Sequence, residues 1–293
     1  RVAHLVYDPE VRYVGSVEVN TSADGGLPLA IGPHNIQVVR ANRSAPWHAE
    51  GLAHTYLHAP MLAYWRGRFY LEYLSGPRDE HEAPCSTSLT ASADGLVWER
   101  PRVVFPSIAL ADGTQAGMHQ RMGFYVAPNG RLLLLGFHGK APSPNDGSGI
   151  GRVVREMRAD GSFGPIHFIR YNTHHGWSER NAPYSPYRAS KDRGFVEACE
   201  ALLANRLMTQ QWWEEDRSED GFYATTGRAL SFFHRCDGAV VGLWKNALTA
   251  LSRDEGQSWT PQVPAANVPA NGSKYWGQRT VDGRFALFLN PTG

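Results

Sequence analysis

The sequence predicts an all-β protein with the β-propeller architecture, in which four-stranded sheets repeat as blades around an axis. Three observations carry this prediction: hairpin patterns recur along the chain, several are followed by the same turn motif, and glycine and proline are frequent, with 30 and 19 residues among 293. The apolar content of 42% allows a substantial core, and all-β chains of this length often form a single domain. We therefore expect one propeller domain over residues 1–293, with about six blades by direct count of the repeated pattern.

The most informative turn motif fits the pattern Ser-x-Asp-x-Gly-x-Ser/Thr-Trp at Ser252, Asp254, Gly256, Ser258 and Trp259. The side chains of Ser252 and Asp254 can hydrogen-bond nearby backbone amides, and Gly256 can adopt a positive φ. Trp259 can then fold back as an apolar plug. This pattern is the Asp-box of sialidase-like propellers, a structural turn that indicates the fold and not the reaction.

Hairpins and Asp-boxes alternate along the chain. The four hairpin turns centre on Arg66-Gly67, Asn129-Gly130, Asp237-Gly238 and Asp282-Gly283. A near-complete box at 92–98 follows the first hairpin, and a degenerate box at 158–163 follows the second. Near the N-terminus we expect strands over 12–19 and 35–39, with half a box at 22–25 between them. A hairpin followed by a box, repeated, is typical of four-stranded propeller blades.

One helical pattern interrupts the strands. Apolar residues follow helical spacing from Phe195 to Leu207, and Asp192 is suited to cap the helix. We therefore expect a short helical insertion over residues 192–214. The chain stops at Gly293, just after the inner strands of a blade, so either N-terminal strands complete that blade or the sequence is cut short.

Charge and hydropathy limit the classes of partner. The net charge of +1 gives no general attraction to nucleic acid. No apolar run approaches the ~18 residues that a membrane span needs, so we expect no membrane partner. The chain begins with Arg1, as expected of a processed secreted or periplasmic protein. Three cysteines exclude a complete disulfide framework, and we expect a monomer.

Histidines that lie near the starts and ends of predicted inner strands are the main candidates for chemistry. They are His34, His54, His58, His119 and His138, with Arg121 close to the fourth of them. A single histidine is more often a structural polar residue than a catalyst. Several at equivalent strand starts change that expectation, because inner strands converge on the propeller axis.

The sequence resembles a group of sialidase-like propeller polysaccharide lyases, the ulvan lyases and L-rhamnose-α-1,4-D-glucuronate lyases, some of whose relatives were described as rhamnosidases. These lyases carry two histidines at the separation of His34 and His54, with His58 as an alternative partner here. A tyrosine and then an arginine follow in the family. Arg121 lies suitably downstream, but Phe105 occupies the position of the tyrosine. The resemblance implies seven blades, which we favour, and His34, His54, His58 and Arg121 as the catalytic set.

Four further residues are candidate substrate contacts. Tyr56 and Tyr125 are the candidates to replace the missing tyrosine, and His119 with His138 forms a second pair of similar separation. In the chemistry that the resemblance implies, Arg121 neutralises the uronate carboxylate with a bidentate fork. One histidine removes the C5 proton, and a second histidine or a tyrosine protonates the departing glycosidic oxygen. This route needs no cofactor.

The leading hypothesis is therefore a polysaccharide lyase that cleaves a uronate-containing glycan by β-elimination, with an ulvan-like rhamnose–glucuronate polymer as one candidate substrate. A glycoside hydrolase on the same scaffold, an α-L-rhamnosidase or a sialidase-like exo-glycosidase, is the alternative. Sialidases carry an Arg-Ile-Pro signature that does not occur here, and the acidic loop residues form no convincing carboxylate pair. Those residues are Asp79, Glu80, Glu82 and Glu179. A non-catalytic propeller that binds an acidic glycan is the third hypothesis.

A second cluster has the residue types of a structural zinc site. Its members are His174, His175, Cys199, His234 and Cys236. Four of them could form a Cys2His2 set that binds Zn²⁺ and ties the helical insertion to a blade. The alternative is that Cys199 and Cys236 are buried free cysteines that pack as small apolar residues.

Overall fold

The computed structural model describes residues 11, 36–44, 54–80, 82–140, 149–213, 227–266, 272 and 274–289. These residues form antiparallel β-sheets with two short α-helices, which confirms the all-β prediction. Contacts divide them into two compact units. The larger unit holds the described residues from 36 to 204, and the smaller unit holds residue 11 and the described residues from 205 onward.

The larger unit contains two sheets, here called the first and second blades. The first blade has the strand order β1 (Tyr56–Trp65), β2 (Arg68–Gly76), β3 (Ser86–Ser92) and β4 (Arg102–Phe105). The second has the order β5 (Ile108–Ala109), β6 (Gln115–Val126), β7 (Leu132–Lys140), β8 (Gly151–Met157) and β9 (His167–Tyr171). Each sheet is a meander in chain order. Strands β6 to β9 therefore repeat the pattern of β1 to β4, with β5 as an added edge strand.

The smaller unit contains a third blade and a two-stranded sheet. The third blade has the order β10 (Ser231–His234), β11 (Val240–Trp244), β12 (Leu248–Ser252) and β13 (Val263–Pro264). The hairpin of β14 (Trp276–Arg279) and β15 (Phe285–Phe288) forms the other sheet. The ring centroids of Phe233 on β10 and Phe285 on β15 are 4.7 Å apart, so these two sheets pack against each other.

All four predicted hairpins form, and the predicted glycines lie in their turns. Gly67, Gly130, Gly238 and Gly283 have φ values of 78°, 80°, 81° and 83°. Side chains disfavour this left-handed region, so glycine is the residue that these tight turns require.

The Asp-box turn after β12 also forms as predicted. The Oγ of Ser252 accepts a hydrogen bond from the Gly256 amide at 2.9 Å, and Asp254 Oδ1 accepts one from the Ser258 amide at 2.9 Å. The second box, at 92–98, repeats both kinds of bond at its own serine and aspartate. The structural assignment of these motifs is therefore confirmed.

The tryptophan of the intact box closes its turn against the third blade. The rings of Trp259 and the buried Trp244 meet edge to face, with centroids 5.0 Å apart and planes at 80°. Edge-to-face contact is a favourable geometry for aromatic pairs. The predicted apolar plug therefore closes over the middle of its own sheet.

The helical insertion forms two helices where the sequence predicted one. The first, α1 (Arg193–Ala204), belongs to the larger unit, and α2 (Arg206–Trp212) belongs to the smaller unit. Asp192 caps α1 as predicted, because its Oδ1 accepts a hydrogen bond at 3.1 Å from the amide three residues later. Asn205 does the same for α2 at 3.1 Å. A cap at this position starts a new helix, so the continuous apolar spacing misled the prediction.

The strands and the half box predicted for the N-terminal residues are not confirmed. The strand expected over 35–39 is wrong for its described part, since residues 36–40 form no strand. The residues there alternate between apolar and polar, but among the described residues no strand pairs with them, and Ile36 is 40% exposed. The strand over 12–19 and the half box at 22–25 lie outside the described residues. Within the part of the chain that is described, no helix has the length and apolarity that a membrane crossing requires.

Candidate active site

The first and second blades pack side by side in the same orientation. The Trp65 indole at the end of β1 donates a hydrogen bond to the Gly130 carbonyl in the β6–β7 turn at 3.0 Å. Arg102 at the start of β4 donates to the Gly161 carbonyl in the β8–β9 connection at 2.9 Å. Both contacts mark the same end of the two sheets, here called the turn end. The opposite, loop end is where β1 and β6 begin and where β2 and β7 finish.

The inner strands β1 and β6 carry matching irregularities directly after a histidine. The pairing register shifts between His58 and Met61 on β1, and between His119 and Gly123 on β6. Ala59 has a φ of 49°, which is unusual for a residue with a side chain. A β-bulge redirects the side chains beside it. His58 and His119 therefore occupy corresponding positions on β1 and β6.

A tyrosine, a histidine and a glutamate meet at the loop end of the first blade, and we call them the Tyr56 cluster. The Glu80 carboxylate interacts with the Tyr56 hydroxyl, and His58 Nε2 lies 3.8 Å from Glu80 Oε1. The ring centroids of Tyr56 and His58 are 5.5 Å apart. Burial, followed by the charge of Glu80, raises the pKa of Tyr56 to about 12. The resting phenol therefore keeps its proton at neutral pH.

Two basic side chains support the loop that carries this cluster. Arg43 Nη2 donates to the Pro77 carbonyl at 3.2 Å and to Thr55 Oγ1 at 3.4 Å. His54 is buried, and its Nδ1 is 2.9 Å from the Ser75 hydroxyl oxygen. His54, predicted to be catalytic, is thus fixed against the end of β2, beside the strand that bears Tyr56.

Arg121 and His119 lie on the neighbouring inner strand. Strand β6 packs beside β1, and both side chains are buried, with 6% and 1% exposure. The His119 ring covers the backbone of Gly139 so closely that an added Cβ there would be 2.1 Å from the ring. The structure therefore presents Arg121 on the inner strand adjacent to the Tyr56 cluster.

The second predicted histidine pair, His119 and His138, is not brought together. His138 pairs in register with Met118, whereas His119 pairs with Phe137, so the two imidazoles point to opposite faces of the second blade. His138 is buried, with its ring centroid 5.9 Å from that of Tyr184. Burial lowers the pKa of His138 to about 4, so it is neutral at neutral pH. Its position is that of a core side chain.

Tyr125, the other candidate to replace the missing lyase tyrosine, is not at the candidate site. Tyr125 pairs with Leu133 beside the β6–β7 turn, which places it near the turn end, away from the Tyr56 cluster. Phe105 is 1% exposed and belongs to the apolar core. Tyr56 is therefore the candidate tyrosine that lies at the loop end. His34, predicted to be catalytic, lies outside the described residues.

From the sequence, Glu80 was one of the acidic loop residues that form no convincing carboxylate pair. One signal could have identified it: Glu80 follows the second strand of the first hairpin, and that strand ends where the partner strand begins at Tyr56. Glu72, on β2, is fully buried instead, and burial raises the pKa of its carboxyl group. Neither of its carboxyl oxygens has a hydrogen-bond partner among the described residues. The protonated form of Glu72 is therefore favoured.

The structure does not assemble the predicted zinc site. Among the described residues, no group of three or more histidine, cysteine, aspartate or glutamate side chains is arranged to hold a metal ion. Cys199 is buried and Cys236 is exposed, and burial raises the pKa of the Cys199 thiol. His234 Nε2 instead pairs with both carboxylate oxygens of Glu255 at 3.0 Å. The other two predicted ligands, His174 and His175, are exposed on a short 3₁₀ turn.

Known structures identify the class to which this fold belongs. A solved structure of a protein named Sialidase is 44% identical to this chain, with a TM-score of 0.87. The match covers 96% of this chain and 28% of that protein, so the chain spans less than a third of the length of its relative. An intramolecular trans-sialidase from Ruminococcus gnavus, solved with oseltamivir carboxylate, shares the fold at a TM-score of 0.54 and 9% identity, over 86% of this chain and 79% of that one. The protein is a sialidase-like β-propeller, as predicted.

Its family is more specific. Residues 9–229 match the family described as BT_1020-like, N-terminal beta propeller, and the chain belongs to that family. A comparison with curated protein sequences found no match. The matches support a sialidase-like propeller and give no support to the narrower ulvan and rhamnose–glucuronate lyase group.

Proposed function

We propose that this chain is the catalytic propeller of a glycoside hydrolase that acts on an acidic sugar. This is the hydrolase alternative raised by the sequence, and it now takes precedence over the lyase. The observation that carries it is the tyrosine–carboxylate pair of Tyr56 and Glu80 in a chain 44% identical to a protein named Sialidase. Tyrosine is the nucleophile in sialidases, which depart from the usual pair of carboxylates in glycosidases.

The geometry suits a nucleophile that is activated by an adjacent base. As the Tyr56 oxygen attacks the anomeric carbon, its proton passes to Glu80. The bond from that carbon to the leaving oxygen breaks, and this oxygen takes a proton from solvent. Water then displaces the tyrosine oxygen from the sugar and releases a proton to solvent, while the phenol regains its own proton from Glu80. A neutral phenol also suits a sugar that carries a carboxylate at the reacting carbon, because a carboxylate nucleophile would be repelled.

Two arginines of the larger unit are the proposed partners of the sugar carboxylate. Arg121 is on β6, beside the strand that carries Tyr56, and Arg43 is held against the loop that precedes Glu80. A guanidinium binds a carboxylate through two parallel hydrogen bonds and keeps its charge at any relevant pH. The proposed substrate is therefore a glycan with a terminal acidic sugar.

The test is hydrolysis of the 4-methylumbelliferyl α-ketoside of N-acetylneuraminic acid, followed by fluorescence. Tyr56→Phe and Glu80→Gln should each lower kcat/KM by about 10²–10⁴-fold, as expected when a nucleophile or its base is removed. Tyr64→Phe is the matched control, because Tyr64 is on the same strand but 62% exposed. Retained activity in Tyr56→Phe would remove this tyrosine from the mechanism.

The lyase is kept as a second candidate because His58 lies beside Tyr56, and a histidine–tyrosine pair can serve as base and acid in β-elimination. The same protein is therefore incubated with a uronate polymer while absorbance near 235 nm is followed. A rise would favour elimination, since only that reaction creates a conjugated double bond. Binding of the glycan with neither signal would favour a non-catalytic propeller.

A further inference from the structure

A cationic and aromatic cluster lies at the loop end of the second blade, separate from the Tyr56 cluster. Strands β7 and β9 are both antiparallel to β8, so their C-terminal ends lie at the same end of the sheet, the loop end. Lys140 is the last residue of β7, and the segment 172–182 follows β9. Since the two blades pack in the same orientation, this cluster and the Tyr56 cluster share one end of the larger unit.

Lys140 is the central charge of the cluster. Its Nζ lies 5.8 Å from the centroid of the Trp177 ring, within the range of a cation–π contact. Asp112 Oδ2 is 3.8 Å from the same atom, and that side chain is 58% exposed. An ion pair at this separation with one largely exposed partner is weak. The carboxylate of a bound ligand can therefore compete with Asp112 for the ammonium group.

Two exposed histidines extend the cluster along the same segment. His174 and His175 lie on the 3₁₀ turn Thr173–His175, with ring centroids 4.8 Å apart and planes at 77°. Imidazole nitrogens can donate hydrogen bonds to an anion. Trp177 is half-buried and packs partly against the core, which leaves part of the indole facing solvent. The turn thus presents donors and an aromatic surface within five residues.

The segment is held in shape by a buried asparagine at its start. Asn172 is 0% exposed, and its Nδ2 donates to the Gly149 carbonyl at 2.9 Å. Its own carbonyl accepts hydrogen bonds from the amides of His175 and Trp177 at 3.0 and 3.3 Å. A turn fixed in this way loses little freedom when it binds a ligand. The cluster therefore has the preorganisation of a binding site.

We propose that Lys140, His174, His175 and Trp177 form a subsite for a carboxylated sugar unit remote from the bond that is cleaved. The ammonium and imidazole groups would bind the carboxylate, and the exposed part of the indole would contact the C–H surface of the sugar ring. The aromatic component distinguishes a sugar acid from a simple inorganic anion. This inference extends the proposed function, because it makes the substrate an oligosaccharide with more than one acidic unit.

The experiment is calorimetric titration of the full chain with tetragalacturonate and with its carboxyl-reduced, neutral counterpart. Wild type should bind the charged tetrasaccharide at least tenfold more tightly than the neutral one. Lys140→Ala and Trp177→Ala should each raise Kd for tetragalacturonate about tenfold or more, the effect of losing a charge-assisted hydrogen bond or a stacking surface. Arg158→Ala is the matched control, since it removes an exposed cation from the β8–β9 connection at the turn end.

Melting temperatures of all variants are measured first, and Lys140→Gln replaces Lys140→Ala if the latter unfolds. The proposal is overturned if wild type binds neither tetrasaccharide, if it binds both equally, or if the two variants bind like Arg158→Ala. Binding is read without turnover. A chain that binds tetragalacturonate through Lys140 but fails to hydrolyse the aryl ketoside therefore contradicts the proposed function alone.

Discussion

Replacing Gly139 by alanine should disturb the second blade by a predictable amount. The new Cβ would lie 2.1 Å from His119 Cδ2, 2.8 Å from Nε2 and 3.2 Å from Cγ. Ordinary contacts of this kind begin near 3.4 Å, so the imidazole or its strand must move. His119 is 1% exposed, so its ring lies among other buried groups. Overpacking of a well-filled interior costs about 1–3 kcal/mol.

A loss of that size lowers the melting temperature of a chain of this length by about 2–5 °C. Gly123→Ala is the control, because Gly123 lies on the same sheet face and its added Cβ would be 3.6 Å from Leu135 Cδ1, an ordinary contact. Circular dichroism should show Gly139→Ala melting well below Gly123→Ala. Equal melting temperatures for the two variants would mean that His119 does not occupy the space above Gly139, and the placement of this candidate residue would be wrong.

Two further predictions concern carboxyl groups. The hydrogen bond from Arg131 lowers the pKa of Asp192, so its stabilising effect is present above the ordinary pKa of about 3.9 and is lost as the pH falls through the lower folded value. Asp192→Ala should destabilise by about 1 kcal/mol at pH 7 through the lost helix cap, and a deficit that persists unchanged at pH 2 would contradict this account. Burial raises the pKa of Glu72, so its contribution is greatest below the unfolded pKa and is lost as the pH rises towards the folded value. Wild type must keep a proton on Glu72 to fold, so it loses stability as the pH rises, whereas the glutamine of Glu72→Gln does not titrate. The melting temperature of Glu72→Gln relative to wild type should therefore increase from pH 5 to pH 8. A difference independent of pH would mean that Glu72 is not a buried acid.

The parts of the fold that follow from local chemistry could be predicted. Asn129-Gly130 and Asp237-Gly238 specify tight turns because of their own backbone preferences, and the turns form as expected. The same holds for the Asp-box at 252–259 and for the cap of α1 at Asp192. In each case the determining hydrogen bonds connect residues that are close in the chain.

The strand expected over 35–39 depended on more than local chemistry. Its alternating apolar residues satisfy the β pattern, but a strand needs a partner, and none pairs with residues 36–40 among those described. The break at Asn205 is a milder case. There a side chain that caps a new helix overrode apolar spacing that continued through the site.

The candidate site shows a second limit, which comes from register. His119 and His138 have a suitable separation along the chain, yet the pairing of β6 with β7 sends them to opposite faces. A shift of one residue in the pairing would reverse this outcome, and separation in sequence does not contain that information. Tyr56 and Glu80 illustrate the converse, because their partnership depends on where β1 begins and where β2 ends.

The two ends of the first and second blades differ in how many sequence changes they can accept. At the turn end, tight glycine turns and the box at 92–98 determine how the chain reverses direction. At the loop end, the Tyr56 cluster and the Lys140 cluster lie in connections that differ between the two blades. Under the proposed function, substitutions of the exposed side chains there would change which glycan is bound, while the turn-end motifs that set the hairpins stay in place. A library over exposed residues of 77–80 and 173–180, with the left-handed Gly176 kept, would therefore vary specificity on the same scaffold.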